Sequence, residues 1–303
     1  MTAPAETVST TTPPVSEIQG PQPKVKASRF PVYLGIGLIT LIWTIPSLGL
    51  LINSFRDPRS IRATGWWTVF GDLFDSAAWT LQNYSQVLED GFGNAFINSL
   101  AVTVPSVVIP ITVAAFAAYA FAWMEFPGRQ VIFVTVVGLL VVPLQMALIP
   151  ILRVYTNFDL NGTYPGIWLA HAGFGIPLAV YLLRNYMGSL PSSLIESAKI
   201  DGADHFKIFT RLIIPLSVPV LASFAILQFL WVWNDLLVAL VFLGYNERVR
   251  VLTVELSDLA GRGEGTLSLL PAAAAVTMIL PLVVFFSLQR FFVRGLTAGS
   301  VKG

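Results

Sequence analysis

The chain contains no cysteine, only two histidines and few charged residues among its 303 residues. Without cysteine it can form no disulfide bond, no thiolate metal site and no cysteine nucleophile. Charged residues make up 12% of the chain, whereas about 25% is usual in a soluble domain. Hydrophobic residues make up 55%, and the net charge of +1 gives no sign of nucleic-acid binding. These values indicate an integral membrane protein.

Apolar runs long enough to cross a bilayer, which requires about 20 residues, recur along the chain. We predict an all-α fold with a disordered tail over 1–29, a transmembrane domain over 30–294 and a C-terminal tail over 295–303. The first run is longer than a signal-peptide core, so we predict an uncleaved helix. The predicted transmembrane helices are about 32–53, 95–122, 131–152, 165–184, 218–243 and 268–292.

The distribution of positive charge between these runs predicts their orientation. If the N-terminus is inside, the inside segments hold every lysine of the chain and the larger share of its lysines and arginines. Cytoplasmic loops carry such an excess. We therefore predict that both termini and the segment 190–217 are cytoplasmic, in a multi-pass membrane protein. The loops about 54–94 and 244–267 are then outside.

The segment "SLIESAKIDGADHFKIFTRLIIPLSVP" places charge and helix signals between two apolar runs. Ser193 and Glu196 fit a capping box, which predicts a helix ending near Asp201. Gly202 suits the left-handed position after a helix end, and Asp204 is a good N-cap for a second helix.

In that second helix the spacing of Phe206, Phe209 and Ile213 predicts one shared apolar face. Pro215 and Pro219 then mark the entry into the next run. The segment is either an amphipathic element resting on lipid or a rigid pair of short helices that docks into a partner. Contact with lipid would not explain the glycine turn. It would not explain the clustered acids either, because anionic lipid repels them.

The motif "ESAKIDGADHFKIFTRLIIPLSVP" resembles the Glu-Ala-Ala loop of permease subunits in bacterial ATP-binding-cassette importers. Ser197 departs from the family pattern, which has alanine there. The stretches "FLWVWNDLLVALVFLG" and "FFVRGLTAGSVKG" resemble the sugar permeases of the maltose and α-glucoside group. The resemblance implies that this loop couples transport to an ATPase, through Glu196, Ser197, Ala198, Asp201, Gly202 and Ala203.

The resemblance also implies the partners of the chain. These are a second homologous permease, two ATPase subunits that bind ATP and Mg, and an external sugar-binding protein. The chain has no Walker A pattern, so it cannot hydrolyse ATP by itself. The resemblance implies a non-catalytic subunit that holds no cofactor and lies in the bacterial inner membrane. The implied function is half of the pathway for an α-linked disaccharide such as maltose or trehalose. The alternative is a secondary transporter or channel not driven by ATP.

Polar side chains within the apolar runs are candidates for the substrate path, since an ionisable residue at membrane depth usually faces a cavity. Trp231, Asn234 and Asp235 would share one face of a helix, where they contact sugar or anchor helices to each other. Gln145 would line the path or bond to backbone freed by nearby prolines. His171 stands alone, which favours a packed residue over a metal ligand.

Two further segments have alternative roles. The loop tip Gly261, Arg262, Gly263 and Glu264 is either flexible and solvated or, by resemblance, reaches into the binding protein. The C-terminal residues are either frayed or, by resemblance, inserted between the ATPase subunits. These C-terminal residues are Ser300, Val301, Lys302 and Gly303.

Overall fold

The computed structural model describes residues 29–71, 74–263 and 266–297. Within those ranges the regular structure is helical, and the only β pairing is an isolated bridge between Arg56 and Trp79. The described residues divide into two compact units, with the boundary between Pro46 and Ser47. Residues 1–28 of the predicted N-terminal tail, Glu264 and the predicted C-terminal contact residues lie outside the described ranges.

The α-helices are numbered here in chain order. Short 3₁₀ segments lie at Trp66–Gly71, Ser76–Ala78 and Leu139–Val141, and π-helical turns lie at Leu88–Phe92 and Phe209–Ile213. The helices are α1 (Phe30–Ser54), α2 (Pro58–Ala63), α3 (Gln82–Val87), α4 (Gly93–Trp123), α5 (Arg129–Gly138), α6 (Leu144–Asn157), α7 (Tyr164–Gly188), α8 (Ser192–Ile200), α9 (His205–Ile208), α10 (Ile214–Trp233), α11 (Leu237–Phe242), α12 (Leu252–Gly261) and α13 (Leu270–Thr297).

In the part of the chain that the structure describes, five helices are long and apolar enough to cross a membrane, and there are six if the bent pair α5 and α6 counts as one span. The protein is therefore an all-helical membrane protein, as predicted. Two of the long helices extend through a π-helical turn, over Gln82–Trp123 and His205–Trp233. The turn at Phe209–Ile213 fits an extra residue into the helix without ending it. At Leu88–Phe92 the chain is kinked, because Gly91 has φ 101°, outside the helical region.

The third predicted span, 131–152, is not one straight helix. Its two halves meet at an angle of 106° between Val141 and Leu144. The reason is Pro143, because a residue before proline is driven out of the helical region. Val142 has ψ 117°, which is extended backbone.

The fifth predicted span is shifted towards the N-terminus. The helix begins at His205 and ends at Trp233, whereas the prediction was 218–243. Pro215 and Pro219 do not end this helix, which runs through the π-helical turn at Phe209–Ile213 into α10. The second short helix of the charged segment is therefore the start of the span itself.

Helix α4 packs against α7 and α10, and α10 also packs against α13. Small residues allow the close approach of α4 and α7, since Ala114, Ala118 and Ala179 are fully buried between them. This packing fixes the positions of the segments at both ends of the helices.

Candidate functional site

The charged segment between α7 and α10 has the turn geometry that its sequence predicts. Gly202 has φ +78°, in the left-handed region. The Asp204 carboxylate accepts a hydrogen bond of 2.7 Å from the Lys207 N–H and so caps α9. The predicted capping box is wrong, because α8 begins at Ser192 after Pro191 and has no side-chain cap. We call residues 190–217 the coupling segment.

The six predicted coupling residues divide between two faces of this segment. Ala198 and Ala203 are half-buried and pack against the core that also holds Ile195. The side chains of Glu196, Ser197 and Asp201, and the backbone of Gly202, are exposed. The acids and the glycine turn are therefore available to a partner, while the alanines fix the segment to the helices.

Two exposed apolar side chains lie beside the acids. Ile200 is 85% exposed, and Phe206 is 66% exposed. The predicted shared face of Phe206 with Phe209 and Ile213 is wrong, because only the latter two are buried. The sequence analysis missed Ile200, although an isoleucine directly before a helix-ending Asp-Gly turn is a usable signal.

Contacts with the C-terminal end of α4 hold the coupling segment in place. The Tyr119 hydroxyl lies 2.9 Å from His205 Nδ1. The ring of Phe209 stacks on Phe116 with centroids 4.6 Å apart. Trp123 Nε1 donates to the Met187 carbonyl at the end of α7. The segment is thus bound to the helices by side chains and not only by its chain connections.

The loop 244–267 lies at the opposite end of α4. Asn98 Nδ2 donates to the carbonyl of Arg250 at 2.9 Å, and Leu252 N–H donates to Ser99 Oγ at 2.8 Å. Between Asn98 and Tyr119 the helix rises about 30 Å. The coupling segment and this loop therefore lie at opposite ends of the bundle, as the topology prediction requires.

Of the four predicted path residues, Trp231 and Asp235 come together at the buried His171, whose ring centroid lies 5.1 Å from that of Trp231. α10 ends at Trp233, so helical spacing no longer relates Trp231 to Asn234 and Asp235. Asn234 is exposed and bonds back to the Leu230 carbonyl, while Gln145 is exposed in the first turn of α6.

Asp235 points inward and bonds to backbone. Its carboxylate accepts hydrogen bonds from Ala239 N–H at 2.9 Å and Val238 N–H at 3.3 Å, which caps the first turn of α11. Its Oδ2 lies 4.0 Å from Nε2 of the buried His171. The two hydrogen bonds are those of a local helix cap, and the approach to His171 is the contact that joins this side chain to α7. Among the described residues no cluster of three metal-ligating side chains occurs.

An open cavity of about 740 Å³ lies where the bent pair meets α7. Its volume is within the usual range for small-molecule sites. Trp231 forms part of its wall, but the lining is almost wholly apolar. The other lining residues are Leu139, Leu140, Val142, Leu144, Ala147, Pro150, Ile151, Val154, Tyr155, Leu169, Ala170, Gly173, Phe174, Pro177 and Leu178.

The loop 244–267 contains α12 and carries a cluster of ion pairs that the sequence analysis missed. Glu255, only 4% exposed, lies 3.1 Å from Arg250 and 3.2 Å from Arg262. Arg262 also pairs with Asp258 at 2.8 Å. This hydrogen bond raises the pKa of the Arg262 guanidinium. The spacing of Asp258 and Arg262, four residues apart on a helix, is a sequence signal for the pair.

A cavity of about 380 Å³ adjoins these ion pairs. Acidic residues from the other predicted outer loop, Glu89 and Asp90, line it together with Glu247 and Glu255. The two outer loops therefore form one charged surface, which includes Gly261, Arg262 and Gly263 at its edge.

The comparisons with known proteins agree with one another. Residues 95–298 match the family model of binding-protein-dependent transport system inner membrane components. An osmoprotective compounds uptake permease of Synechocystis sp. is 58% identical over 90% of this chain and 92% of its own length. An α-glucoside transport system permease of Rhizobium meliloti is 43% identical, over 90% and 97% respectively.

A solved structure has the same fold. It is a bacterial ABC transporter involved in the import of the acidic polysaccharide alginate, with a TM-score of 0.69 and 22% identity. The likeness covers 88% of this chain and 99% of the other.

Proposed function

Because the chain belongs to the family of binding-protein-dependent transport system inner membrane components, we propose that it forms half of the translocation pathway for an α-linked glucoside. It is a non-catalytic permease subunit of an ABC importer in the inner membrane, for sugars or osmoprotective compounds. Because the chain belongs to this family, the alternative of a secondary transporter or channel not driven by ATP is excluded.

The observation that carries the proposal is the coupling segment. It presents Glu196, Asp201 and Gly202 outward while Ala198 and Ala203 pack inward. Such a surface suits the cleft of an ATPase subunit, and the exposed Ile200 and Phe206 add apolar area that a partner would bury. The hydrogen bond of His205 to α4 then passes the movement of the ATPase to the helices.

The proposed complex contains this chain, a second homologous permease, two ATPase subunits that bind ATP and Mg, and an external binding protein. The charged surface around Arg250, Glu255 and Arg262 is rigid, since its ion pairs are partly buried. We assign it, with the tip 261–264, to contact with the binding protein. The tail 300–303 is assigned to the ATPase subunits.

The solute class is inferred from the two relatives, one named for osmoprotective compounds and the other for α-glucosides. Some α-glucosides are also osmolytes, sucrose among them, so one solute class fits both names. In this proposal Trp231, Gln145 and Asn234 lie along the path, and the approach of Asp235 to His171 supports an anchoring role.

The test is ATPase stimulation in a reconstituted complex with its binding protein. Maltose, trehalose and sucrose are compared with glycine betaine, an osmoprotectant that is not a sugar. We expect at least one α-glucoside to stimulate ATP hydrolysis and drive uptake, whereas glycine betaine does neither. Stimulation by glycine betaine alone would contradict the assigned solute class.

A further inference from the structure

Helix α4 contains two prolines within its membrane-spanning length, Pro105 and Pro110. Proline has no N–H, so the carbonyl four residues earlier loses its helical partner. The carbonyls concerned are those of Ala101 and Ser106. In hydrocarbon such a group needs a donor from elsewhere, because no water is present to supply one.

Side chains of two other helices donate to these same two carbonyls. Trp168 Nε1 of α7 donates to the Ala101 carbonyl at 2.9 Å. Gln228 Nε2 of α10 donates to the Ser106 carbonyl at 3.1 Å. Each proline of α4 therefore creates an acceptor that a neighbouring helix uses.

The same arrangement occurs between α10 and α13. Pro281 within α13 frees the carbonyl of Thr277. Trp233 Nε1, at the end of α10, donates to that carbonyl at 3.0 Å. Trp233 is buried and fixed by Phe229, whose ring stacks on it with centroids 5.7 Å apart.

Gln228 is held so closely that it cannot turn to another partner without repacking. It is 3% exposed and also donates to the His171 carbonyl of α7 at 3.3 Å. A Cβ atom at Gly175 would lie 2.7 Å from its amide. The glycine thus makes room for the amide group, and one side chain joins α4, α7 and α10.

We propose that Gln228 and Trp233 are positioning residues of transport, which bond α10 to α4 and α13 through carbonyls freed by Pro110 and Pro281. The helix α10 continues directly from the coupling segment. Both donors lie in its distant half, so a displacement of the coupling segment is passed to α4 and α13 as well. The transport part of this inference rests on the proposed function.

The test is a double-mutant cycle that restores the missing donor from the backbone. Gln228→Leu removes the side-chain donor, and Pro110→Ala supplies an N–H to the same Ser106 carbonyl. The matched control combines Gln228→Leu with Pro105→Ala, which restores an N–H to Ala101 instead. Uptake per ATP hydrolysed and thermal unfolding are measured on the reconstituted complex with each binding-protein solute.

For Gln228→Leu we expect a lower melting temperature, because the Ser106 carbonyl loses its donor. We also expect uptake per ATP to fall about threefold, the equilibrium change that corresponds to an average interhelical hydrogen bond in a membrane. Adding Pro110→Ala should restore the melting temperature but not uptake per ATP, because the new N–H lies within α4 and leaves α10 unbonded to it; adding Pro105→Ala should restore neither. Restored uptake per ATP with Pro110→Ala, a melting temperature restored by both prolines or by neither, or unchanged uptake per ATP in Gln228→Leu would each overturn the proposal.

If Gln228→Leu alone fails to assemble, complex yield takes the place of the melting temperature; it should recover with Pro110→Ala only, and uptake per ATP of that recovered complex should remain low. The wild-type complex separates the two ideas. If no solute stimulates its ATPase, the proposed function fails. The melting temperatures of the cycle then still decide whether Gln228 and Pro110 are paired.

Discussion

Replacing Gly202 by alanine should weaken coupling without disturbing packing. A Cβ at this position would meet no atom within 4 Å, so the change introduces no steric contact. Its whole effect comes from φ +78°, a conformation that costs a non-glycine residue about 1 kcal/mol. A cost of about 1 kcal/mol lowers the population of the left-handed turn about fivefold relative to conformations in which residue 202 has a negative φ.

Gly128 provides a matched control. It also has φ +78°, it lies between α4 and α5 at the same end of the bundle, and an added Cβ would make only an ordinary contact of 3.9 Å with Ile132. Gly128→Ala therefore introduces the same strain outside the coupling segment. Both variants should lose a similar amount of stability.

The assay is solute-stimulated ATP hydrolysis and uptake in nanodiscs and proteoliposomes. We expect Gly202→Ala to lower uptake per ATP several-fold, and Gly128→Ala to leave this ratio near the wild-type value. Equal ratios in the two variants would show that the turn has no particular part in coupling, and the argument from Gly202 would be refuted.

Three more predictions follow from the described contacts. With no native cysteine to interfere, Ala260→Cys should react with an impermeant maleimide in spheroplasts and Lys199→Cys should not; the reverse labelling would invert the topology. Asp235→Asn keeps only one acceptor oxygen for two backbone N–H groups, so it should lower stability by about 1 kcal/mol with solute preference unchanged; a tenfold shift in solute half-saturation would instead place Asp235 in the path. Glu255→Gln removes the buried charge that Arg250 and Arg262 share and leaves Asp258 as their acidic partner, so it should lower stability by about 1.5 kcal/mol, whereas the exposed Glu247→Gln should have little effect on the melting temperature.

The features that the sequence predicted correctly are those set by neighbouring residues. Gly202 and Asp204 act within one turn of chain, and both have the predicted roles. The long apolar runs also predicted the spanning helices, because the bilayer requires that length.

The features that the sequence did not predict depend on distant contacts. Whether Phe206 or Phe209 faces the core is decided by the end of α4, where Tyr119 and Phe116 receive only Phe209. The predicted capping box would have Ser193 as the N-cap. Instead Pro191 is the N-cap, and α8 already begins at Ser192.

The candidate path shows the same limit. Asn234 and Asp235 were predicted to lie within a helix, but the chain leaves the helix at Trp233. The Asp235 carboxylate then begins α11, a role that depends on where α11 packs. Prolines were visible in the sequence, but the side chains that compensate them could not be identified without the packing of the helices.

The donors to the proline-freed carbonyls also set an order for the biogenesis of the protein. Gln228 follows its acceptor by 122 residues, and Trp168 follows its acceptor by 67. At roughly 5–20 residues per second, about 6–24 s pass between synthesis of Ser106 and of Gln228. During that time α4 is in the membrane with a carbonyl that no native side chain can yet reach. A nascent α4 therefore needs the insertion machinery, lipid headgroups or trapped water to supply a donor until α10 has been made.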